Sequence, residues 1–418
     1  MTATARSLDP TDHAPHVGSE VGPLREVILH RPGLELRRLT PSNKDALLFD
    51  ELVWVGKAQE EHDAFTELLT DVGVRVRHLR DLLADVVADP EARAEAIHAR
   101  ATVDACGVEL VEHVRSFLAA LEPRVLADHL IGGVTVDEVP GAAHGFVGGV
   151  LGPTAFLVPP LPNAVFTRDP SAWVGDGVVL SPMQRPARQA ERDLWQLVYR
   201  HHARFVAHPA SVWFGGDDRP SFPATLEGGD VLVLNEEVAA IGLSERTHPV
   251  AVENFAARLF ASGAASQVLA VDLPKTRGTM HLDTVLTVVD RDAVVLWPRL
   301  RDQVAVFRIA PHPAGGPMRV RHEAGVEAAL ADALGAEKLR VITTGEDEVA
   351  ADREQWDDGN NTLAVRPGVV VAYERNVDTN RRLEAAGVEV LRIPGSELPR
   401  GRGGPRCMSC PVLRGPLP

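Results

Sequence analysis

A strand–turn–strand pattern that recurs along the chain constrains its fold more than any other feature of the sequence. In each copy, polar residues precede a strand rich in valine and leucine, a turn containing Asp, Gly or Pro follows, and a second apolar strand completes the pair. Copies occupy residues 163–183, 225–245, 279–298 and 358–376. Segments with helical spacing follow at residues 189–202, 248–262, 323–334 and 377–386.

Residues 22–32 (GPLREVILHRP) form a further strand near the start of the chain. With this unit, the sequence contains about five degenerate copies of strand, strand and helix. Units of this kind pack around an axis as a closed, propeller-like ring, and the alternative is an ordinary mixed α/β sheet. We therefore predict an α/β fold with five repeated units in a ring.

One segment interrupts the repeat. Between residues 81 and 142 we expect no strand pairing, because the sequence shows only helical periodicity and a helix-start signal at Asp89, Pro90 and Glu91. We read this range as an inserted helical subdomain in which Cys106 is a buried small hydrophobic residue. The predicted organisation is a disordered lead-in over 1–20, a catalytic α/β propeller over 21–80 and 143–418, and the helical subdomain over 81–142.

Composition limits the classes of partner. The 418 residues include 43 Lys and Arg against 58 Asp and Glu, a formal net charge of −15 that disfavours nucleic acid and anionic membranes and suits a cationic ligand. No apolar run approaches the roughly 20 residues needed to span a bilayer. Three cysteines are a small, odd number, which favours a reducing cytoplasm over a secreted disulfide scaffold.

Polar clusters at the start of each hairpin supply the candidate reactive groups. A ring would bring these positions close to its axis, although each cluster alone could be a strand-end turn, and alternation along a strand could pair His281 with Asp283. A thiol, a histidine and several carboxylates form a set suited to covalent catalysis. The candidates are Asp169, Glu227, Asp230, His281, Asp283 and Cys407.

The C-terminal stretch GRGGPRCMSCP holds two of the three cysteines, Cys407 and Cys410, in C-x-x-C spacing. This spacing is compatible with a redox disulfide, with half of a zinc site, or with one nucleophile beside an unrelated thiol. A structural zinc needs four ligands, and no second Cys/His pair of suitable spacing is present. A redox pair normally opens a helix, whereas Pro411 and the chain end follow closely here.

Several motifs resemble those of the arginine deiminases, within the wider superfamily of enzymes that modify guanidino groups. They are, in order, residues 25–55, NAVFTRDP, PMQRPAR, LEGGD, HLDT and GRGG-x-x-CMSCP. The resemblance covers nearly the whole chain. It implies a five-bladed, pentein-type ring of ββαβ units with an inserted helical bundle.

The resemblance also implies catalytic roles. Cys407 would be the nucleophile and Cys410 only its neighbour, while Asp169 and Asp283 would hold the planar guanidinium by forked hydrogen bonds. His281 would transfer protons, and Glu227 would orient it or contact the guanidinium. The implied reaction is hydrolysis of L-arginine to L-citrulline and ammonia through a covalent amidino-cysteine intermediate.

The remaining implied positions bind the substrate. Arg188 and Arg246 would clamp its α-carboxylate, Asn163 and Phe166 would line the pocket, Leu48 would lie in a substrate-covering loop, and Arg402 would act as a gate. The chain departs from several family members at Arg406, where they carry histidine before the nucleophile. This difference bears on the pH dependence.

Further implications concern partners. The family needs no metal or organic cofactor and forms homo-oligomers, so we expect a cytoplasmic homo-oligomer whose partner is free L-arginine, without nucleic acid or membrane. Two alternatives stay open: an amidinotransferase, which passes the amidino group to an amine, and a non-catalytic arginine-binding protein. Formation of citrulline and ammonia with arginine as sole substrate separates these functions.

Overall fold

A computed structural model of the protein describes residues 13–216, 222–313 and 315–417. The strands are β1 (Leu24–Leu29), β2 (Arg75–His78), β3 (Val134–Thr135), β4 (Phe156–Val158), β5 (Ser171–Val174), β6 (Gly177–Leu180), β7 (Ser211–Phe214), β8 (Val231–Val233), β9 (Val238–Leu243), β10 (Gln267–Asp272), β11 (Leu286–Asp290), β12 (Ala293–Leu296), β13 (Ala305–Ala310), β14 (Arg319–His322), β15 (Arg340–Thr343), β16 (Leu363–Arg366), β17 (Val369–Tyr373), β18 (Glu389–Ile393) and β19 (Cys410–Arg414). The helices are α1 (Leu34–Arg37), α2 (Val55–Asp71), α3 (Leu79–Val86), α4 (Pro90–Arg100), α5 (Val103–Cys106), α6 (Val111–Ala119), α7 (Pro123–Gly132), α8 (Phe146–Leu151), α9 (Gln189–His201), α10 (Ala203–Val206), α11 (Pro249–Ser262), α12 (Leu300–Gln303), α13 (Val326–Leu334), α14 (Glu348–Trp356) and α15 (Val377–Ala385).

Within these ranges, five sheets share one plan, in which an antiparallel pair of strands is extended by a third strand parallel to one of them. A helix precedes the third strand along the chain, because a parallel neighbour can be reached only through a crossover connection. The sets are β19–β1 with β2, β5–β6 with β7, β8–β9 with β10, β11–β12 with β15, and β16–β17 with β18.

The sheets remain separate, and none that the described residues form closes on itself. The largest contains five strands, because β13 and β14 extend the β8–β9–β10 set. The structure is thus a mixed α/β fold with several sheets. The arrangement of the repeated units as a five-bladed ring stays a prediction.

Helices α3 to α7 occupy most of the segment that interrupts the repeat. Asp89 caps α4 by accepting hydrogen bonds from the backbone nitrogens of Glu91 and Ala92, which confirms the predicted helix start. The expectation of no strand pairing between residues 81 and 142 is wrong at one place, since β3 pairs with β4. Burial of Val134 against Val158 makes this two-residue strand favourable.

The helical segment does not have a core of its own. Leu83, Val114 and Leu130 belong to the same cluster of buried residues as Trp173 of β5 and Trp195 of α9. Cys106 is fully buried in this cluster, as predicted. Among the residues described, no helix is both long and apolar enough to cross a bilayer.

The N-terminal segment is more ordered than expected where the structure describes it. The backbone nitrogens of His16 and Val17 donate to the carbonyls of Val412 and Gly175, at 2.9 and 3.0 Å. Glu20 is 5% exposed and pairs with Arg406. The prediction of a disordered lead-in is therefore wrong for this stretch, and its first twelve residues lie outside the described ranges.

Candidate active site

Cys407, the candidate nucleophile, lies in the turn between a short 3-10 helix (Leu398–Gly401) and β19. Its side chain is buried, and its Sγ lies 3.5 Å from Oδ2 of Asp283 and 3.0 Å from Nδ2 of Asn361. Burial, followed by the carboxylates of Asp283 and Asp169, raises the pKa of this thiol well above its ordinary value. The free protein therefore holds a protonated thiol at neutral pH until positive charge is brought close to it.

The glycines before Cys407 let the turn pack tightly against the site. A Cβ atom at Gly403 would lie 2.3 Å from Cε1 of Phe166 and 3.0 Å from Cβ of Cys407. No side chain can occupy that space without displacing the aromatic ring or the nucleophile. The requirement for glycine at position 403 is therefore steric.

Arg406 connects the nucleophile turn to two carboxylates. Its Nη1 donates to Oδ2 of Asp283 at 2.7 Å, and its Nε and Nη2 donate to Glu20 at 3.0 Å each. Burial favours protonation of Glu20, but the charges of Arg406, Arg168 and Arg414, with the hydrogen bonds from Arg406, together outweigh it and lower the pKa of Glu20 to about 2. The other oxygen of Asp283, Oδ1, is buried without a hydrogen-bond partner.

His281 lies between two carboxylates. Its Nε2 is 2.8 Å from Oε2 of Glu227, and its Nδ1 is 3.5 Å from Oδ1 of Asp169. Burial favours the neutral ring, yet Asp169 and Glu227 together overcome it and raise the pKa of His281 to about 9. The ring is therefore an imidazolium at neutral pH and can act as a proton donor.

The two acidic residues of the Glu-Gly-Gly-Asp motif both make hydrogen bonds within the candidate site. Oε1 of Glu227 accepts from the backbone nitrogen of Gln184 at 3.0 Å, and a Cβ atom at Gly229 would lie 2.6 Å from Nδ1 of His281. Despite full burial, Arg246 and His281 lower the pKa of Glu227 to about 2. Glycine at position 229 therefore makes room for the imidazole beside the ionised Glu227.

Asp230, the last residue of that motif, holds the turn next to His281 through hydrogen bonds. Its Oδ1 accepts from the backbone nitrogen of Leu282 at 2.9 Å, and its Oδ2 accepts from Oγ of Ser244 at 2.7 Å. Burial raises its pKa to about 7. These bonds tie the turn that carries His281 to the neighbouring β9 region.

The idea that strand alternation pairs His281 with Asp283 is wrong. His281 precedes a 3-10 turn (Leu282–Thr284) that ends before β11 begins. The two side chains have different partners, since His281 contacts Glu227 while Asp283 contacts Arg406. The turn geometry allows one short motif to serve both the proton donor and the carboxylate next to the thiol.

Both arginines predicted to clamp the substrate carboxylate already contact protein carboxylates. Arg188 donates from Nη1 to Oδ2 of Asp169 at 2.6 Å, and from Nε and Nη2 to Glu191 at 2.9 and 2.8 Å. Arg246 donates from Nε to Glu245 at 2.9 Å and lies 3.4 Å from Oε2 of Glu227. These contacts place both arginines beside the catalytic carboxylates.

Arg402 differs from both. It is 4% exposed, its guanidinium lies 3.6 Å from the ring centroid of Trp356, and none of its three guanidinium nitrogens has a hydrogen-bond partner. Its backbone is left-handed, with φ of 66°. A buried guanidinium without acceptors is costly, so Arg402 is ready to receive an anion.

The other predicted binding residues lie where residues 38–53 contact the candidate site. Nδ2 of Asn163 donates to the carbonyl of Leu47 at 2.8 Å, and Phe166 is buried against Gly401 and Gly403. Leu48 follows with a left-handed backbone, φ of 65°. Residues 38–53 therefore contact residues that neighbour the candidate site.

The five predicted catalytic residues form two contacting sets, His281 with Glu227 and Asp169, and Cys407 with Asp283. The two sets lie near each other, since the charge of Asp169 also raises the pKa of Cys407. Sequence reasoning missed Asn361, which contacts Cys407 through two bonds. It stands in the polar cluster before β16, the one hairpin start from which no candidate was taken. Glu20 was missed because its partner Arg406 is 386 residues away and no local pattern marks it.

The structure separates the two cysteines of the C-x-x-C motif. Sγ of Cys410 lies 3.2 Å from the carbonyl of Ser171, and all three cysteines are free. Tyr199 and the Ser171 region surround Cys410, whereas Cys407 faces the carboxylates. In the described parts of the chain, no three His, Cys, Asp or Glu residues are grouped so as to hold a metal ion.

Two comparisons with known proteins indicate the same family. The sequence model of the arginine deiminase family matches residues 45–414. The chain is 49% identical over 404 residues to the arginine deiminase of Rhodococcus erythropolis, covering 96% of this chain and 98% of that protein. It is also 49% identical over 403 residues to the arginine deiminase of Mycobacterium tuberculosis, with the same coverage.

Solved structures with a similar fold are more distant in sequence. A dimethylarginine dimethylaminohydrolase superposes with a TM-score of 0.52 at 16% identity, covering 93% of this chain and 99% of that one. An amidinotransferase of Microseira wollei superposes with a TM-score of 0.52 at 16% identity, covering 97% and 99%. Both are pentein-fold proteins, and at this identity the similarity concerns the fold. The match of the family model over most of the chain and the near-complete alignment with curated relatives show that this chain belongs to the arginine deiminase family.

Proposed function

We propose that the protein hydrolyses free L-arginine to L-citrulline and ammonia, with Cys407 as the nucleophile. One observation carries this proposal beyond family membership. Asp169 and Asp283 each give Oδ2 to a protein arginine, and Oδ1 of each is buried without a hydrogen bond. Oδ1 of Asp169 has the charge of His281 at 3.5 Å, whereas the ion pair of Asp283 with Arg406 is made through Oδ2. Such acceptors are costly unless a donor arrives, and a guanidinium offers paired N–H groups and a positive charge.

In the first chemical step, we propose that the substrate guanidinium activates its own nucleophile. Its charge, held by Oδ1 of Asp169 and of Asp283, offsets the effects that keep the thiol protonated, so the thiol releases its proton to solvent as the substrate binds and becomes a thiolate. Sγ of Cys407 then attacks the guanidinium carbon and forms a C–S bond. The imidazolium of His281 protonates the departing nitrogen, the C–N bond breaks, ammonia leaves, and a thiouronium intermediate remains.

In the second step, water takes the place of ammonia. His281, now neutral, accepts a proton from the water as its oxygen attacks the same carbon. The C–S bond breaks, the remaining hydroxyl proton passes to solvent as the C=O group of citrulline forms, and the thiolate and imidazolium are regenerated as citrulline leaves. The contact of His281 with Glu227 supports both roles, because the ionised carboxylate orients the ring and stabilises its charged form.

The α-carboxylate of arginine needs a cationic partner at the other end of the site. We propose that Arg188 and Arg246 bind it, with Asn163 and Phe166 lining the pocket, Leu48 in the cover and Arg402 as the gate. Because Arg188 and Arg246 already contact carboxylates, binding requires them to share or exchange a contact. Agmatine lacks the carboxylate and should lose about 10²-fold or more in kcat/KM.

The test is to incubate the purified, metal-free protein with L-arginine as sole substrate and measure citrulline and ammonia. Equimolar products that are absent with Cys407→Ser support the proposal. Consumption of arginine only when an amine such as glycine is added would instead indicate an amidinotransferase. Binding of arginine without turnover would indicate a non-catalytic binding protein and contradict the proposal.

We also propose that the protein works in the cytoplasm as a homo-oligomer, without nucleic acid or membrane. The net charge of −15 and the three free cysteines support this setting. Sedimentation analysis of the purified chain tests the oligomeric state. A monomer at working concentrations would contradict it.

At the level of architecture, we propose that the five sheets of common plan are blades of one ring. The catalytic unit would comprise residues 21–80 and 143–418, with residues 81–142 as the inserted subdomain. The shared strand order supports the ring, and helices α3 to α7 support the insertion. An experimental structure tests both.

A further inference from the structure

Asn361 is the residue whose side chain contacts both the backbone and the sulfur of the candidate nucleophile. Its Oδ1 accepts from the backbone nitrogen of Cys407 at 2.9 Å. Its Nδ2 donates to Sγ of Cys407 at 3.0 Å and to the carbonyl of Asp283 at 3.1 Å. The side chain is completely buried, so these three bonds are made away from water.

The orientation of this amide follows from its partners. The backbone nitrogen of Cys407 can only donate and the carbonyl of Asp283 can only accept, so the amide oxygen must face the former and the amide nitrogen the latter. The N–H groups therefore point towards the sulfur. In the opposite orientation, both backbone contacts would be lost.

The chain around Asn361 holds it in this position. Its backbone nitrogen donates to the carbonyl of Asp358 at 2.9 Å, ahead of β16. On the other side, a Cβ atom at Gly404 would lie 2.6 Å from the carbonyl oxygen of Asn361. The close approach of the Gly404 turn and the loop of Asn361 thus sets the distance between the amide and the thiol.

The other polar group within reach of the sulfur acts in the opposite direction. Asp283 approaches it at 3.5 Å with a carboxylate oxygen, an acceptor that favours the protonated thiol. An N–H donor favours the thiolate, because the bond strengthens as the acceptor becomes charged. Among the hydrogen bonds of the described residues, Asn361 supplies that donor.

We propose that Asn361 is a catalytic residue, whose amide N–H stabilises the Cys407 thiolate during attack and again when sulfur leaves the thiouronium intermediate. The same side chain holds the backbone of Cys407, so sulfur and donor keep their distance through both steps. This inference rests on the proposed role of Cys407 as nucleophile. It extends the reactive set to a residue from the hairpin start before β16.

The test compares Asn361→Asp and Asn361→Ala with the parent protein. Asn361→Asp keeps the acceptor for the backbone of Cys407 and replaces the donor at the sulfur with an oxygen. We expect kcat to fall by about 10–150-fold in Asn361→Asp, since hydrogen bonds to charged groups have effects of this size. KM for arginine should change less than kcat.

A second readout does not depend on turnover of arginine. Iodoacetamide alkylates a thiolate with loss of iodide, and mass spectrometry of the peptide that contains Cys407 gives the rate between pH 7 and 9.5. Loss of the donor lowers the thiolate fraction, so alkylation should be about threefold slower or more after allowing for the higher nucleophilicity of a more basic thiol. A general loosening of the site would expose the thiol and speed alkylation instead.

Asn380→Ala is the matched control. Asn380 is also buried, and its Nδ2 donates at 2.9 Å to the carbonyl of Tyr373, away from the sulfur. This variant should lose stability yet keep parent-like alkylation. The proposal is overturned if both Asn361 variants are alkylated at the parent rate or faster, or if kcat of Asn361→Asp stays within twofold of the parent. If the parent makes no citrulline while the alkylation rates differ as expected, the proposed function fails and the effect on the thiolate stands.

Discussion

At the scale of single residues, Cys407 and Cys410 differ in their surroundings although they are three positions apart. Sγ of Cys407 lies near Asn361 and Asp283, whereas Sγ of Cys410 lies against the carbonyl of Ser171. Cys407→Ser should therefore abolish citrulline formation, because a hydroxyl is a far weaker nucleophile in this site. Cys410→Ser should keep most of the activity, and equal loss in both variants would restore a redox or metal interpretation.

Arg406 allows a prediction about pH. In the parent it stays charged throughout the working range and keeps Asp283 and Glu20 paired. In Arg406→His, the ring loses its charge as pH rises through or above about 6.5, and both buried carboxylates lose the cation that pairs with them directly. We expect kcat/KM of the variant to decline with rising pH relative to the parent, measured as paired pH–rate profiles.

The comparison requires that Arg406→His still folds, which thermal unfolding at pH 6 can establish. At that pH the imidazolium can still pair with one of the two carboxylates. Superimposable profiles from a folded variant would show that the charge at position 406 does not set the pH dependence.

The sequence was most informative for residues that stand in short local motifs. His281, Asp283, Glu227 and Cys407 could be chosen because each lies in a polar cluster beside an apolar strand. Glu20 could not, since its importance comes from a contact with a residue near the other end of the chain. Local patterns carry no signal for such pairs.

At the scale of elements, three of the helices that follow the hairpins were predicted almost to the residue, whereas α2 and α14 were not predicted. The segments 189–202, 248–262 and 377–386 correspond to α9, α11 and α15. The segment 323–334 starts three residues early, because Glu323 pairs with Arg308 at 2.6 Å before α13 begins at Val326. Apolar periodicity with a clear cap gives a strong helical signal.

The third strand of each repeated unit was not visible in the sequence. β2, β15 and β18 lie at sheet edges, contain charged residues and are only partly buried, whereas β10 is apolar and mostly buried because β13 pairs on its other side. Edge strands commonly carry charged residues that prevent further pairing, so they lack the apolar run by which central strands are recognised. The units were therefore read as strand, strand and helix.

Helix α2 carries a buried histidine that should make stability depend on pH. His62 is fully buried, and neither of its ring nitrogens has a hydrogen-bond partner. Burial and the neighbouring His78 and His30 lower the pKa of His62 to about 3. The nearby Asp63 raises this pKa, but its effect is smaller. The ring is neutral in the folded protein, whereas it becomes protonated below about pH 6.5 in the unfolded chain.

Because the folded-state pKa is the lower one, this stabilising effect is present above pH 6.5 and is lost as pH falls towards 3. At pH 5 the loss attributable to His62 is about 2 kcal/mol. His62→Leu should lose less stability between pH 7 and 5 than the parent in urea unfolding. His113→Gln, on the exposed face of α6, is the control, and equal pH slopes in all three proteins would contradict the prediction.

At the scale of the whole molecule, the two ends of the chain meet beside the nucleophile. β19 pairs with β1, the backbone of His16 bonds to Val412, and Glu20 binds Arg406. The turn that carries Cys407 is therefore fixed by the first described residues of the chain. The repeat in the sequence predicted the individual units. It could not predict the contacts between the first and last of them, because these contacts depend on packing between segments far apart in the chain.

All of the proposed catalytic groups are buried, so arginine cannot reach Cys407 unless part of the molecule moves. Residues 38–53, which we propose cover the site, are held at Leu48 and Asp50 by Arg277. Its guanidinium donates to the carbonyl of Leu48 at 3.0 Å and to Asp50 at 3.3 and 3.2 Å. This side chain is partly exposed, so the contacts are weak enough to break and form again during a catalytic cycle.

Arg277→Ala should shift this segment towards an open state. Loss of a partly exposed ion pair and one hydrogen bond corresponds to about 1 kcal/mol, or about a fivefold larger open population. Alkylation of Cys407 by iodoacetamide in the free protein should accelerate by a similar factor, because the reagent reaches the buried thiol only in the open state and the rate is proportional to both the open population and the thiolate fraction. Arg381→Ala removes an exposed ion pair with Glu346 and should leave the rate unchanged. If the two variants react alike, access to the thiol depends on a different part of the molecule, and the contacts of Arg277 do not control the opening.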